Sequence, residues 1–200
     1  MFGRDLVNWN NNFTWAKWVT PSRDLISAFK QEGDEVRFKE SIVYYDCNWS
    51  NYYPSDNYPF MYKCRSANSS IIKYRYADVL LLKAEALIMQ DTPDLEGAAD
   101  IIDKVRDRAK LGALPTSVRS NKNAMLNALL KERRLELAFE GQRWFDLVRL
   151  DKVEEVMNAV YAKDSGRKAQ IYTFDKNSYR LPIPQSVIDA NDKIHQNPGY

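Results

Sequence analysis

A single histidine, His195, and two cysteines, Cys47 and Cys64, are all that 200 residues offer for imidazole or thiolate chemistry. Histidine-based acid and base catalysis has almost no material here, and zinc ligation lacks both a CxxC pair and a second histidine. No GxGxxG, GxxxxGK[ST], HExxH, GxSxG or EF-hand pattern occurs, so the usual signatures of phosphate binding, metal binding and nucleophilic catalysis are absent. No apolar run reaches the roughly 18 residues needed to cross a bilayer. The opening MFGRDLVNWNNNF has neither the basic start nor the apolar stretch of a secretory signal. An excess of one charge is missing too: 29 Lys and Arg against 27 Asp and Glu leave a formal net charge of +2. Neither nucleic acid nor an anionic membrane surface is implied. What is present is 44% hydrophobic and 12% aromatic residues, a globular composition. A chain of this size buries roughly 70% of its unfolded surface.

The aromatics are unevenly placed. Four of the five Trp (Trp9, Trp15, Trp18, Trp49) and a dense Tyr set (Tyr44, Tyr45, Tyr52, Tyr53, Tyr58, Tyr62) fall in residues 1–70, among Asn, Ser and Pro. This segment reads as loops with one helix. Thr20-Pro21-Ser22 supplies a capping hydroxyl, Leu25, Ile26 and Phe29 follow at helical spacing, and Gly33 stops the helix. Arg37 to Tyr45, with β-branched and aromatic residues, is predicted to be extended. Cys47 and Cys64 lie 17 positions apart, a spacing compatible with a disulfide closing the aromatic loop and equally with two free thiols.

Residues 71–200 read as a helical scaffold with a C-terminal tail. Ala77, Leu80, Leu81, Ala84 and Leu87 or Ile88 recur at three and four from Tyr74 to about Met89, and Ala98, Ile101, Ile102 and Val105 do so from Leu95 to Ala109. The break Asp91-Thr92-Pro93-Asp94 makes these two an antiparallel pair. The twelve-residue separation of Ala86 and Ala98 is that of the small-residue positions in a tetratricopeptide helix pair. Lys122 to Leu150 is a third helical region, with Leu126, Leu130, Leu137, Trp144 and Val148 on one face and a break at Gly141, and Asp151 to Ala162 adds another. Leu181-Pro182-Ile183-Pro184 is extended because proline disfavours helix in the residue before it, and Gln185 to Asn191 is one short helix. Core candidates are Leu80, Leu81, Ala84, Leu137, Phe139, Trp144 and Phe145.

The densest charged run is LKERRLELAFEGQRWFDLVRLDK. Its carboxylates sit beside arginines and read as solvated or ion-paired, with Glu140 and Arg143, and Asp146 and Arg149, at i, i+3 spacing. Some arginines are expected to reach loop carbonyls or carboxylates instead, since a guanidinium offers five donors in a fixed fork. No nucleophile or base accompanies them, and no candidate carboxylate pair for glycoside hydrolysis stands out.

Two blocks carry a resemblance. Tyr74-Arg75-Tyr76-Ala77-Asp78-Val79-Leu80-Leu81-Leu82 with Ala84-Glu85-Ala86-Leu87, then Glu132-Arg133-Arg134-Leu135-Glu136-Leu137-Ala138-Phe139-Glu140-Gly141-Gln142-Arg143-Trp144-Phe145-Asp146-Leu147, resemble the SusD/RagB family of outer-membrane glycan-binding lipoproteins. The resemblance continues upstream through Thr20-Pro21-Ser22-Arg23-Asp24-Leu25 and Asp34-Glu35-Val36-Arg37-Phe38, and downstream through Leu181-Pro182-Ile183-Pro184 and Gln196-Asn197-Pro198-Gly199-Tyr200. It implies an all-α fold of tetratricopeptide-like helix pairs with long aromatic-rich loops and little or no β-structure. It implies a protein that binds oligosaccharide or polysaccharide at the cell surface, without a cofactor and without hydrolysing it. Its partner would be a SusC-like TonB-dependent outer-membrane transporter. Family members resemble a chain more than twice as long that begins with a lipoprotein signal and an acylated cysteine. Residues 1–200 are therefore expected to be the C-terminal part of such a domain. The alternative is an all-α helical-repeat scaffold whose partner is a protein.

A sugar site needs flat rings for the C–H faces of pyranoses, with amides and hydroxyls alongside. Trp9, Trp15 and Trp18 form one candidate cluster, and Trp49, Tyr52 and Tyr53, with Tyr58 nearby, form the favoured one. Half or more of these rings are expected to anchor their loops to the core instead.

Overall fold

The computed structural model describes residues 19–48, 50–63, 72–163 and 173–200. It is mostly α-helical, with one two-stranded sheet among the described residues. Compact packing divides the chain between Arg143 and Trp144.

In the first unit, helix α1 (Arg23–Glu32) begins where the Ser22 hydroxyl accepts from the Leu25 amide. It ends at Gly33, whose φ of 69° is the left-handed conformation that closes a helix with little strain only in glycine. The segment predicted to be extended from Arg37 divides in two. Residues 37–41 belong to helix α2 (Glu35–Ser41), and only Ile42–Tyr45 is a strand, β1. The local cause is Asp34, whose carboxylate accepts from both the backbone N–H and the Nε of Arg37 and so starts a helix that β-propensity at Phe38 cannot prevent. Strand β2 (Tyr58–Met61) pairs antiparallel with β1, with Ile42 opposite Met61 and Tyr45 opposite Tyr58.

Helices α3 (Tyr76–Met89) and α4 (Leu95–Arg108) pack together and against α6 (Lys122–Glu136), with the short α5 (Thr116–Arg119) beside α6. Leu81, Ala84 and Ile88 of α3 meet Ala98, Ala99, Ile102 and Val105 of α4 and Met125 and Leu129 of α6 in one core. Alanines set the close approach, as the small-residue pattern suggests, but the α3 alanine in this core is Ala84, while Ala86 faces solvent. A second core joins Ile26, Ala28 and Phe29 of α1 to Ile42, Leu135 and Ala138. A third, under the hairpin, holds Cys47, Tyr58 and Phe60.

α6 ends at Leu137, and Phe139 (φ 66°) and Gly141 (φ 80°) turn the chain at the predicted break. In the second unit, α7 (Arg143–Arg149) continues from this turn into α8 (Val153–Lys163). Of the core candidates, Leu81, Ala84 and Leu137 are buried, Leu80, Phe139 and Trp144 are half-buried, and Phe145 is 66% exposed. Asn158 fixes the incoming chain by pairing both ways with the backbone of Phe174, at 2.9 Å each. A 3-10 turn at Lys176–Tyr179 and helix α9 (Gln185–Asp189) complete the tail. The Gln196 amide brackets the backbone of Ile183, which keeps the proline segment extended.

Candidate functional site

Residues 46–57 connect β1 to β2 and form a loop at the tip of the hairpin. Its two ends are held by a backbone hydrogen bond from Cys47 to Ser55, 2.7 Å. An open groove of about 840 Å³ lies along it, lined by Cys47, Asn48, Ser50, Asn51, Tyr52, Tyr53, Pro54 and Ser55.

The loop is fixed from beneath by aromatic and hydroxyl contacts. Tyr58 is 2% exposed, and its hydroxyl shares hydrogen bonds with Thr20 (3.1 Å) and Ser50 (2.9 Å). Its ring meets Tyr53 edge-on at 5.6 Å and tilts over Phe60 at 5.0 Å. Tyr53 in turn meets Tyr52 edge-on at 4.9 Å and donates its hydroxyl to the Pro21 carbonyl, 2.9 Å. The Arg23 guanidinium caps the pair, with its carbon 3.9 Å from the Tyr52 ring centre and 4.6 Å from that of Tyr53, and it donates to the Tyr52 carbonyl. A cation over two rings in this arrangement is attractive by about 0.5–2 kcal/mol per ring.

The predicted candidates therefore separate. Tyr52 and Tyr53 are half-buried and line the groove together with the amides of Asn48 and Asn51. Tyr58 lies beneath them, with no ring face open to solvent. Trp9, Trp15, Trp18 and Trp49 lie outside the described residues, as does Cys64. Cys47 is a buried free thiol. Sequence reasoning did not single out Arg23 as part of this site. Its signal was weak, because a residue just inside a helix start carries no mark of a ring 29 positions away.

A second concentration of polar groups lies at α6 and is structural. Glu132, Arg133 and Glu136 are buried, so of the two states the sequence allows for these carboxylates, solvated or ion-paired, the second holds here. Glu132 is 2.6 Å from Arg37 and 3.4 Å from Arg106. Glu136 receives Arg75 at 2.5 Å, Arg37 at 3.1 Å and Arg108. Glu140, expected to pair with Arg143, instead takes a bidentate contact from Arg75 (2.7 and 2.9 Å) and one from Lys63 (2.5 Å). Arg143 donates to the Leu130 carbonyl, 3.1 Å. Arg133 pairs with Asp78 at 2.9 Å and Arg134 with Asp24 at 2.5 Å, while the expected Asp146–Arg149 pair forms at 2.8 Å. Burial pushes the Glu132 carboxyl above its ordinary range despite Arg37. Burial also opposes ionisation of Glu136, but hydrogen bonds from Arg75 and Arg108 outweigh it and hold that carboxyl below the ordinary range.

Chemically, the groove offers ring surface, amides, hydroxyls and a thiol, and no carboxylate or cation among its described lining residues. This set can stack on and hydrogen-bond a neutral polyol. Among the described residues no group of three or more His, Cys, Asp or Glu side chains is placed to hold a metal.

The SusD family model matches residues 55–200. The SusD-like protein P2 of Formosa agariphila is 35% identical over 143 residues, 68% of this chain and 27% of the relative. A SusD homologue from Bacteroides thetaiotaomicron superposes with a TM-score of 0.65 at 23% identity, covering 88% of this chain and 43% of that one. A laminarin-binding SusD-like protein superposes with a TM-score of 0.57 at 28% identity, covering 89% of this chain and 37% of that one. The chain thus spans about a quarter of that curated relative and less than half of these solved structures. With most of its length matched, the chain belongs to the SusD family.

Proposed function

We propose that this chain is the C-terminal part of a non-catalytic glycan-binding protein of the bacterial outer-membrane surface, which captures oligosaccharide and passes it to a SusC-like TonB-dependent transporter. Binding is carried by the hairpin-tip groove, where Tyr52 and Tyr53 stand beside Asn48, Ser50 and Asn51 on a loop fixed by Arg23 and Tyr58. A rigid loop loses little conformational freedom when a ligand lands, so more of the contact energy appears as affinity. Trp49, and Trp9, Trp15 and Trp18 from the preceding segment, are proposed further ring surfaces for the same ligand. That a similar structure is named a laminarin-binding protein supports a glycan as the ligand class. Surface location and the transporter partner rest on family membership alone.

The test is a titration of the purified 200-residue chain with gluco-, xylo- and manno-oligosaccharides, followed by tryptophan fluorescence and calorimetry. Saturable binding that Tyr52→Ala weakens in a folded variant supports the reading. A folded chain that binds none of them overturns it.

One observation favours a second reading, a protein-binding helical scaffold. Tyr76, Val79, Leu82 and Met89 form an exposed apolar stripe along α3. Loss of a protein contact in a Val79→Glu variant with unchanged sugar binding would distinguish the two.

A further inference from the structure

We infer that the hairpin-tip groove selects uncharged oligosaccharides and rejects anionic ones, such as uronate-bearing or sulfated chains. The inference rests on the glycan-binding reading above and adds the chemical class of the ligand. Two observations carry it.

The first is the absence of any ionic side chain among the described lining residues: two asparagines, two serines, two tyrosines, a proline and a buried thiol. A carboxylated or sulfated sugar bound there would give up hydration of its charge, and these residues offer neutral donors but no countercharge in return. Arg23, the nearest cation described above, does not line the groove. It caps the Tyr52 and Tyr53 rings, and it is bonded to the Tyr52 carbonyl.

The second observation is the charge flanking the loop in the chain. The backbone bond between Cys47 and Ser55 closes the loop, and the residues immediately outside it are Asp46 and Asp56, both exposed. The residues that flank the lining segment 47–55 in the chain are therefore both exposed carboxylates. Repulsion from flanking charge discriminates without touching the favoured ligand, since a neutral chain meets no penalty there.

The experiment uses the 200-residue chain, neutral gluco-, xylo- and manno-hexasaccharides, and galacturonate and sulfated galactan hexasaccharides, titrated by calorimetry at 50 and 500 mM NaCl. The expected result is a neutral ligand whose affinity changes less than about twofold with salt. Anionic ligands should bind at least tenfold more weakly and gain with salt as the repulsion is screened. The Asp46→Asn/Asp56→Asn double variant should raise affinity for the anionic ligands at least threefold and leave the neutral ligand unchanged. An anionic ligand that binds as tightly as the neutral one, or loses affinity with salt, overturns the inference while leaving glycan binding intact. Failure of every sugar to bind a folded chain overturns the underlying function and this inference with it.

Discussion

Arg37 and Glu132 stand 95 positions apart in the chain, yet the guanidinium of the half-buried arginine lies 2.6 Å from the buried carboxylate. The same arginine also reaches Asp34 at 2.5 Å and Glu136 at 3.1 Å, so one side chain ties the start of α2 to two turns of α6. Removing one member of such a set leaves a buried charge without its partner, which is costlier than removing both. Arg37→Ala is expected to lower stability by about 3 kcal/mol in chemical denaturation. Arg37→Met combined with Glu132→Leu should lose less than the sum of the two single changes. Additivity in that cycle would show that the pair is not coupled.

Acid should dissolve the same lattice from one side. Glu136 is held below the ordinary carboxylate range because, although burial opposes it, hydrogen bonds from Arg75 and Arg108 win, and Glu32 is held there by Lys131 and Arg106 against its own burial. A lowered folded-state value means stability that is fully present above the ordinary carboxylate value and is lost as pH falls through the folded one. Glu132 has the opposite sign: burial raises it, so its protonation favours the folded state. Unfolding free energy measured between pH 6 and 2 should therefore fall at the acidic end, and Glu136→Gln should flatten that fall. A slope unchanged by Glu136→Gln would remove Glu136 as its source.

At Gly33 the obstacle to a side chain is conformational, since an added Cβ would meet nothing within 4 Å while φ stays at +69°. Gly33→Ala is expected to cost about 1 kcal/mol, read as a melting temperature lower by roughly 2–4 °C. Gly33→Asn should cost less, because asparagine tolerates this region better than alanine does.

In the groove, Tyr52→Ala should weaken a bound oligosaccharide by about 1 kcal/mol or more, roughly a factor of five, with the circular dichroism spectrum unchanged. Trp49→Ala is expected to act in the same direction. Tyr53→Phe keeps its ring and loses the bond to the Pro21 carbonyl, so it should cost stability by about 1 kcal/mol and affect binding little. Equal binding loss in Tyr52→Ala and Tyr53→Phe would point to loop disorder in place of a lost contact.

Cys47 is 2% exposed and free. It should resist maleimide in the native protein and react at once in denaturant without reductant. Failure to react in denaturant would show that it is bridged.

What was legible in the sequence was local. Ser22 and Gly33 mark α1 because a cap needs only its own neighbours, and the spacing of Leu81, Ala84 and Ile88 marks α3 because one buried face repeats every turn. The strand β2 escaped notice, since Tyr58–Met61 includes Pro59 and becomes a strand only by pairing with β1. The burial of Glu132 and Glu136 escaped for the same reason, because partners such as Arg37 and Arg75 lie 61 to 99 positions away and leave no trace at i, i+3 or i, i+4. Within the site, aromatic and amide content pointed to the loop around Tyr52 and Tyr53. Which ring would face outward depended on Tyr58 finding Thr20 and Ser50, a matter of three-dimensional packing.

The position of α6 in the chain sets an order of events during synthesis. Arg37 and Arg75 leave the ribosome with their carboxylate partners Glu132, Glu136 and Glu140 still unmade. The early hairpin and its groove can be formed locally, and Arg37 already has Asp34 beside it, but the contacts of Arg37 and Arg75 with α6 wait until residue 140 has emerged. Nascent chains arrested before that point should be protease-sensitive around α2, and acquisition of resistance there should coincide with emergence of α6.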